Sequence, residues 1–271
     1  MSSKTPEVQT AGDAAVVSSD QPSALRRILV GFGGDDRSRD ALRLGVQLAQ
    51  ASDAALRIQL VVRQDASFTP AYPPVGDVED IIAEQGRGWL AEAEDMIPAD
   101  VELSSRISRA ASVAEGLIAA AEEFDADLLV TGSGVGSRRL TTHPAVNALL
   151  HSSPVPLALA PVGHTGEDTV SHVFAAVSAD HAVHQVTDAA ASWAEQLHVP
   201  VSQVTFHAGD ATAVDWPAGG VLLIGSSRLA GRRRLFLGDT AARILTQLPI
   251  PLIVMPRHDT PEHRNLADSV R

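Results

Sequence analysis

Residues 127–134 read DLLVTGSG, an acidic residue and a short apolar run followed by a turn rich in glycine. Apolar runs of this length are typical of buried strands in a parallel α/β sheet, where each strand leads into a helix. The stretch has a counterpart, VLLIGS at 221–226, and the surrounding sequence repeats with it. The chain therefore contains two copies of one α/β unit.

Two further pairs of segments support the repeat. SSPVPLALAP at 152–161 matches QLPIPLIVMP at 247–256, and ILVGFGGD at 28–35 matches VFAAVSAD at 173–180. The second copy is shorter, because it lacks a counterpart of residues 55–100, which amount to one strand and one long helix.

Strands and helices are expected to alternate along both copies, as in a parallel sheet. In the first copy, strands are predicted at 26–33, 55–63, 101–109, 127–134 and 155–161, and helices at 38–50, 78–96, 112–124 and 144–150. In the second copy, strands are predicted at 173–180, 201–207, 219–227 and 250–256, with one helix at 183–197.

The domain boundaries follow from these patterns and from polar segments between them. We predict a disordered tail (1–24), a complete domain (25–163), a linker (164–170), a shortened domain (171–257) and a second polar tail (258–271).

The composition excludes several functional classes. There are 21 Lys+Arg against 33 Asp+Glu, and this net charge of −12 argues against a surface for nucleic acid or anionic membranes. The chain has no cysteine, which rules out disulfides, thiolate metal sites and thiol nucleophiles. No signal-peptide core and no run of about 18 apolar residues occurs, so a cytoplasmic location is the simplest expectation.

No catalytic residue and no metal site is predicted. His181 and His184 lie one helical turn apart, but neither a cysteine nor a third ligand at helical spacing accompanies them. Ser133 and Ser226 follow glycines, yet neither lies in a G-x-S-x-G elbow, so a serine hydrolase is not supported.

Three motifs carry a family resemblance: ILVGFGGDDRSRDAL at 28–42, DLLVTGSGVGSRRL at 127–140 and GSSRLAGRRRLFLGDTAARILTQLPIPLIVMP at 225–256. Together they resemble the universal stress protein family in its tandem form, well over 26–161 and in shortened form over 172–257. The resemblance implies two flavodoxin-like parallel-sheet units in tandem, paired through their last strands as an internal pseudo-dimer. It also implies stress-linked regulation and adenine nucleotide (ATP) as a candidate ligand.

Nucleotide-binding members of that family share a phosphate site. A carboxylate ends the first strand, and a Gly-x-x-Gly turn follows the fourth strand, with a Gly-Ser or Gly-Thr after nine further residues. Glycines let the backbone approach the phosphates, and N–H groups at a helix start face the anion.

The first copy departs from this pattern. Gly33 stands at the acid position, and Asp35 and Asp36 follow it either as an acid pair or as a cap for the next helix. After Gly132, Val135 replaces the second glycine.

Other residues of the same loop either fit two interpretations or depart from the motif. Gly134 and Gly136 flank Val135 and could cradle a phosphate or merely form the turn. His143 and Pro144 stand where Gly-Ser is expected, and Pro144 has no N–H to offer.

The second copy keeps Gly225 and Gly238 but changes the chemistry around them. Arg228 replaces the second glycine, and Asp239 replaces the hydroxyl residue, where it would compete with a phosphate for helix N–H groups. Arginines at 232–234 could compensate by bidentate contacts or form a solvated loop.

The resemblance therefore implies a non-enzymatic stress-response or regulatory protein that acts through an unidentified protein partner or small ligand. Its nucleotide motifs are degenerate, and ATP binding of the usual kind is not expected. The candidate cofactor-binding residues are Gly33, Gly132, Ser133, Gly134, Gly136, Gly225, Ser226, Arg228 and Gly238.

Two alternatives stay open. One is an ATP-binding switch, with weak ATP hydrolysis, whose site lies in the first copy. The other is a scaffold whose second copy only covers the edge strand of the first. A further homodimer, and a partner recruited by the sheet edge that the missing strand leaves, are additional hypotheses.

Overall fold

The computed structural model of the chain describes residues 8–10, 24–64, 78–135, 144–177, 184–205, 214–225 and 248–256. Within these ranges the first copy contains strands β2 (Arg27–Gly31), β3 (Ala55–Arg63), β4 (Leu103–Ala110), β5 (Leu128–Val135) and β6 (Leu157–Pro161). Its helices are α1 (Asp36–Ser52), α2 (Val78–Glu94), α3 (Val113–Phe124) and α4 (Pro144–Ser152). An additional strand, β1 (Val8–Thr10), precedes them.

The second copy contains fewer elements among the described residues. They are β7 (His172–Val177), α5 (His184–Leu197), β8 (Val201–Thr205), β9 (Gly220–Gly225) and β10 (Leu252–Met255). The predicted strands and helices that lie in the described ranges are therefore present, with ends that differ by a few residues.

The ten strands found among the described residues form one sheet in the order β1-β8-β7-β9-β10-β6-β5-β2-β3-β4. The five strands of the first copy are parallel to one another, as are the four strands of the second. The fold is thus the predicted α/β class with two parallel-sheet units in tandem. One antiparallel pair, β6 with β10, joins the units and places Leu159 opposite Leu252.

Two core layers cover the faces of the sheet. Along β2, Ile28 and Val30 belong to one layer and Leu29 belongs to the other, because side chains alternate along a strand. Helices α1, α2 and α5 contribute to the first layer, and α3 and α4 contribute to the second. Helices on both faces explain why the central strands are continuous apolar runs.

Local sequence signals set the helix ends. Ser112 caps α3, since its side chain accepts a hydrogen bond from the Glu115 backbone N–H at 3.1 Å. Asp53 and Asp125 end α1 and α3 in the left-handed conformation, at φ of 56° and 47°. None of the helices in the described part of the chain has the length and apolar character needed to cross a membrane.

The predicted linker (164–170), together with Gly163 just before it, packs against α1. The Gly163 backbone N–H donates to an Asp40 carboxylate oxygen at 2.9 Å. The Gln47 side-chain amide donates to the Asp168 carbonyl. Oε1 of Gln47 lies 3.0 Å from Nε2 of His164. Because that oxygen can only accept, His164 carries a proton on Nε2. The polar residues of the linker are therefore used to fix the chain between the copies.

A second polar contact joins the copies through α5. The Gln196 side chain accepts from the Leu25 N–H at 2.8 Å and donates to the Leu25 carbonyl at 2.8 Å. It also donates to the Ser52 carbonyl at 3.2 Å. One amide thus satisfies three backbone groups of the first copy.

The N-terminal segment differs from the sequence expectation over three residues. The sequence predicts a disordered tail at 1–24, whereas Val8–Thr10 form β1 and pair antiparallel with β8. In the second copy, β8 lies beside β7 as β3 lies beside β2, so among the described residues the strand without a counterpart is β4, and not β3 as the sequence comparison predicts. The outer backbone groups of β8 are therefore left without a strand of the second copy beside them. Those groups need hydrogen-bond partners, and an extended segment of the same chain supplies them.

The half-buried histidine of the linker, His164, predicts a pH-dependent stability. Burial lowers the pKa of His164 from its ordinary value of 6.5 and outweighs the Asp40 carboxylate, which favours the charged form. As the pH falls through about 6.5, the unfolded chain therefore binds the proton first, and folding stability decreases. This contribution is complete above about pH 6.5 and is lost toward the lower pKa of the folded state.

His164→Gln keeps a donor for the Gln47 oxygen but does not titrate. We expect its thermal midpoint to fall less than that of the wild type between pH 7 and pH 5, as measured by circular dichroism. Part of the slope should persist in both proteins, because burial also lowers the pKa of His172. Identical slopes would show that His164 does not contribute.

Candidate nucleotide site

The order of the strands locates the candidate site. In the first copy, the chain runs from β2 outward through β3 to β4 and then crosses back to β5 on the other side of β2, so the strand order reverses between β2 and β5. Open α/β sheets bind ligands outside the carboxyl ends of the strands at such a switch point. The corresponding point of the second copy lies between β7 and β9.

Gly33 and Gly34 follow β2 but differ in surroundings. Gly33 is exposed, and a Cβ placed on it would meet no atom within 4 Å. Gly34 has a φ of 77°, and a Cβ there would lie 2.7 Å from Cδ2 of Trp89. Gly34 is therefore required by backbone conformation and by the indole of α2, whereas the acid position, Gly33, is open to a side chain.

The two carboxylates beyond Gly34 are engaged at the start of α1. Asp35 accepts a hydrogen bond from the Ser38 N–H at 2.9 Å, and its carbonyl accepts from the Ser38 hydroxyl at 2.8 Å. Asp36 lies 3.3 Å from Arg39, with a fully exposed side chain. The helix-cap interpretation of Asp35 therefore fits the geometry.

Gly132, near the end of β5, contacts the protein's own backbone. A Cβ on Gly132 would lie 2.0 Å from the Arg37 carbonyl oxygen. The first turn of α1 therefore packs directly on β5, and glycine is the residue type that permits this distance.

The chain does not turn directly after Gly132, as the glycine motif would indicate. Strand β5 continues to Val135, which pairs with Pro161 of β6, and the register shifts between Gly132 and Val135. Ser133 and Gly134 occupy the shift, so their backbone follows an irregular strand.

The structure therefore places Gly33, just after β2, near Gly132, Ser133 and Gly134 in the last part of β5, at the carboxyl ends of neighbouring strands. In the second copy, Gly225 ends β9 opposite Met255. Gly136, Ser226, Arg228 and Gly238 lie outside the described residues.

The two histidines considered as metal ligands are His181 and His184. His181 lies outside the described residues, and His184 begins α5. The described ranges contain no group of three or more His, Asp or Glu residues arranged to hold a metal ion.

Sequence reasoning missed two features of this site. One is Trp89, which packs against Gly34 from α2, and the other is the contact between Gly132 and Arg37. Trp89 is a single aromatic residue in a helix, and no local pattern shows which strand end it covers.

Comparison with known proteins agrees with this architecture. The model of the universal stress protein family matches residues 24–161. The chain belongs to the universal stress protein family. Curated relatives include universal stress protein Rv2319c of Mycobacterium tuberculosis and universal stress protein Mb2346c of Mycobacterium bovis, each 25% identical over 84% of this chain and 99% of its own.

Solved structures show the same fold. A universal stress protein from Archaeoglobus fulgidus matches with a TM-score of 0.62 at 13% identity, covering 86% of this chain and 98% of its own. A functionally unknown protein from Pseudomonas aeruginosa matches with a TM-score of 0.55 at 15% identity, covering 91% and 98%. The universal stress protein architecture thus extends over both copies.

The close contact of Gly132 with the Arg37 carbonyl in this universal stress protein can be tested by comparing Gly132 with the open position Gly33. Gly132→Ala should lower the free energy of unfolding by about 1–3 kcal/mol, since the methyl group would overlap the Arg37 carbonyl. Gly33→Ala is the matched control and should stay within about 0.5 kcal/mol of wild type. Denaturant unfolding of both variants measures the difference, and equal stabilities would disprove the close contact.

Proposed function

We propose that this universal stress protein is a non-enzymatic stress-response protein that does not bind ATP in the usual way of its family. The observation that carries the proposal is the use of Asp35 as the cap of α1. The nearest carboxylate after β2 is thereby committed to a backbone N–H, and the acid position itself, Gly33, has no side chain.

The packing of Gly132 supports the same proposal. A phosphate-binding glycine offers its open face to the ligand. Here the space over Gly132 is filled by the Arg37 carbonyl, an acceptor that would repel a phosphate oxygen. In the second copy, Asp239 is expected to compete with a phosphate as described above.

An ATP-binding switch, with weak hydrolysis, is the second candidate. The observation in its favour is the free space around Gly33, together with the irregular backbone at Ser133 and Gly134. Irregular backbone of this kind can offer N–H groups to an anion, and Gly136 would extend the cradle.

A covering role for the second copy is the third candidate. Strand β10 pairs with β6, which would otherwise be an apolar edge of the first copy. We infer the same division of the chain, 25–163 and 171–257, and an internal pseudo-dimer in which each copy serves as the other's partner.

The proposal is tested by calorimetric titration of nucleotide-stripped protein with ATP–Mg²⁺, with mass spectrometry of whatever the purified protein carries. We expect neither heat of binding nor bound nucleotide. A one-site signal that Gly134→Asp abolishes would contradict the proposal and place the ATP switch in the first copy.

A gain-of-function variant tests whether the missing carboxylate at Gly33 is the reason that ATP is not bound. Gly33→Asp introduces a carboxylate at the family's acid position, where the structure leaves room for it. If the missing carboxylate limits binding, Gly33→Asp should bind ATP–Mg²⁺ measurably while Gly33→Asn, equal in size but uncharged, should not. Equal behaviour of the two variants would mean that the missing carboxylate is not what limits ATP binding.

A further inference from the structure

The two ends of the ten-stranded sheet are protected in different ways. At one end, β4 carries Arg106 and Arg109 among its eight residues. Charged side chains on an edge strand discourage pairing with another chain. At the other end of the sheet, next to the three-residue strand β1, lies β8, which reads VSQVT and carries no charged side chain.

The backbone edge of β8 that faces away from β7, called here the β8 edge, is covered by β1. Val8 pairs with Val204, Gln9 with Gln203 and Thr10 with Ser202, all antiparallel. β1 takes the position that β4 has beside β3 in the first copy, but it is three residues long instead of eight. So short a strand is itself a poor template for a further strand.

Without β1, the β8 edge would have the properties of a self-pairing strand. Three of its five residues, Val201, Val204 and Thr205, are β-branched, a type favoured in strands. Ser202 and Val204 are buried, whereas the residues between and beside them are half-buried. The two faces of β8 therefore differ, and this difference favours one pairing register over a register shifted by one residue.

The five residues of β8 are also self-complementary. An antiparallel pair of two copies centred on Gln203 sets Ser202 opposite Val204 and Val201 opposite Thr205. Directly opposed residues share a face in an antiparallel pair, so buried positions meet buried positions in this register. The arrangement is two-fold symmetric, the commonest symmetry of soluble homodimers.

We propose that Val8–Thr10 are a tethered cap that keeps the chain from pairing with a second copy of itself, and that release of this segment makes the β8 edge a homodimer contact. Intramolecular pairing has an effective concentration on the order of millimolar for a short connection, so the cap outcompetes a second chain at ordinary concentrations. Removal, modification or capture of the N-terminal segment would then control assembly. The inference is independent of nucleotide binding.

The test compares the full chain with a variant that lacks residues 2–10. Sedimentation velocity at physiological ionic strength, where the net charge of −12 is screened, gives the mass as a function of concentration. The full chain should show no concentration dependence attributable to β8. The truncated chain should rise toward twice the mass of one chain.

Two substitutions make the result specific. Gln203→Lys places two like charges together at the symmetry axis and should abolish the dimer of the truncated chain. Gln9→Pro combined with Thr10→Pro keeps the full length but blocks pairing, because one of two adjacent residues must point its N–H at β8. This double variant should dimerise like the truncated chain, and circular dichroism verifies that each variant is folded.

Hydrogen exchange of the 201–205 amides completes the test. Support requires that the amides facing away from β7 are protected in the full chain, lose protection in the truncated monomer and regain it in the dimer, while the amides bonded to β7 stay protected throughout. A truncated chain that stays monomeric overturns the proposal, whether or not these amides are protected. A dimer that Gln203→Lys leaves intact overturns it too, since association would then use another surface.

Discussion

The antiparallel pair of β6 and β10 determines the rest of the architecture. Leu157, Ala158 and Leu159 lie opposite Val254, Ile253 and Leu252, and all six side chains are buried. Ala158 and Ile253 continue one core layer across the junction, and the four neighbours continue the other. Both layers therefore depend on this pairing, and either copy alone would present an apolar edge to water. The hydrogen bonds of Gln196 and of the linker then fix the copies around a junction that burial has already specified.

Much of this arrangement is encoded locally. The apolar runs of the strands, the repeated LLVTGS and VLLIGS segments and the proline-flanked last strands each carry their own pattern, so the sequence predicts the parallel units and their junction. Asp35 and Ser112 likewise act on residues three positions away, within the reach of a local rule. The strand β1 could not be predicted in this way, because VQT lies in a polar tail and pairs only because β8, nearly two hundred residues later, has an open edge.

The candidate site shows the same limit. Three glycines at neighbouring strand ends look alike in the sequence, yet Gly34 is required by its φ and by Trp89, Gly132 by the Arg37 carbonyl, and Gly33 by nothing nearby. A glycine motif can therefore reflect packing of the protein on itself as well as space for a phosphate. Only the three-dimensional contacts separate these causes, since the contacting residues lie far away in sequence.

The direction of β10 relative to β6 has a further consequence. All other strands of the first copy run parallel to β6, and β7, β8 and β9 run parallel to β10. The carboxyl ends of the two copies therefore emerge on opposite rims of the sheet, and so do their two switch points. Molecules held at the two rims would face away from each other, which is the geometry of a bridge between two partners and not that of a clamp around one.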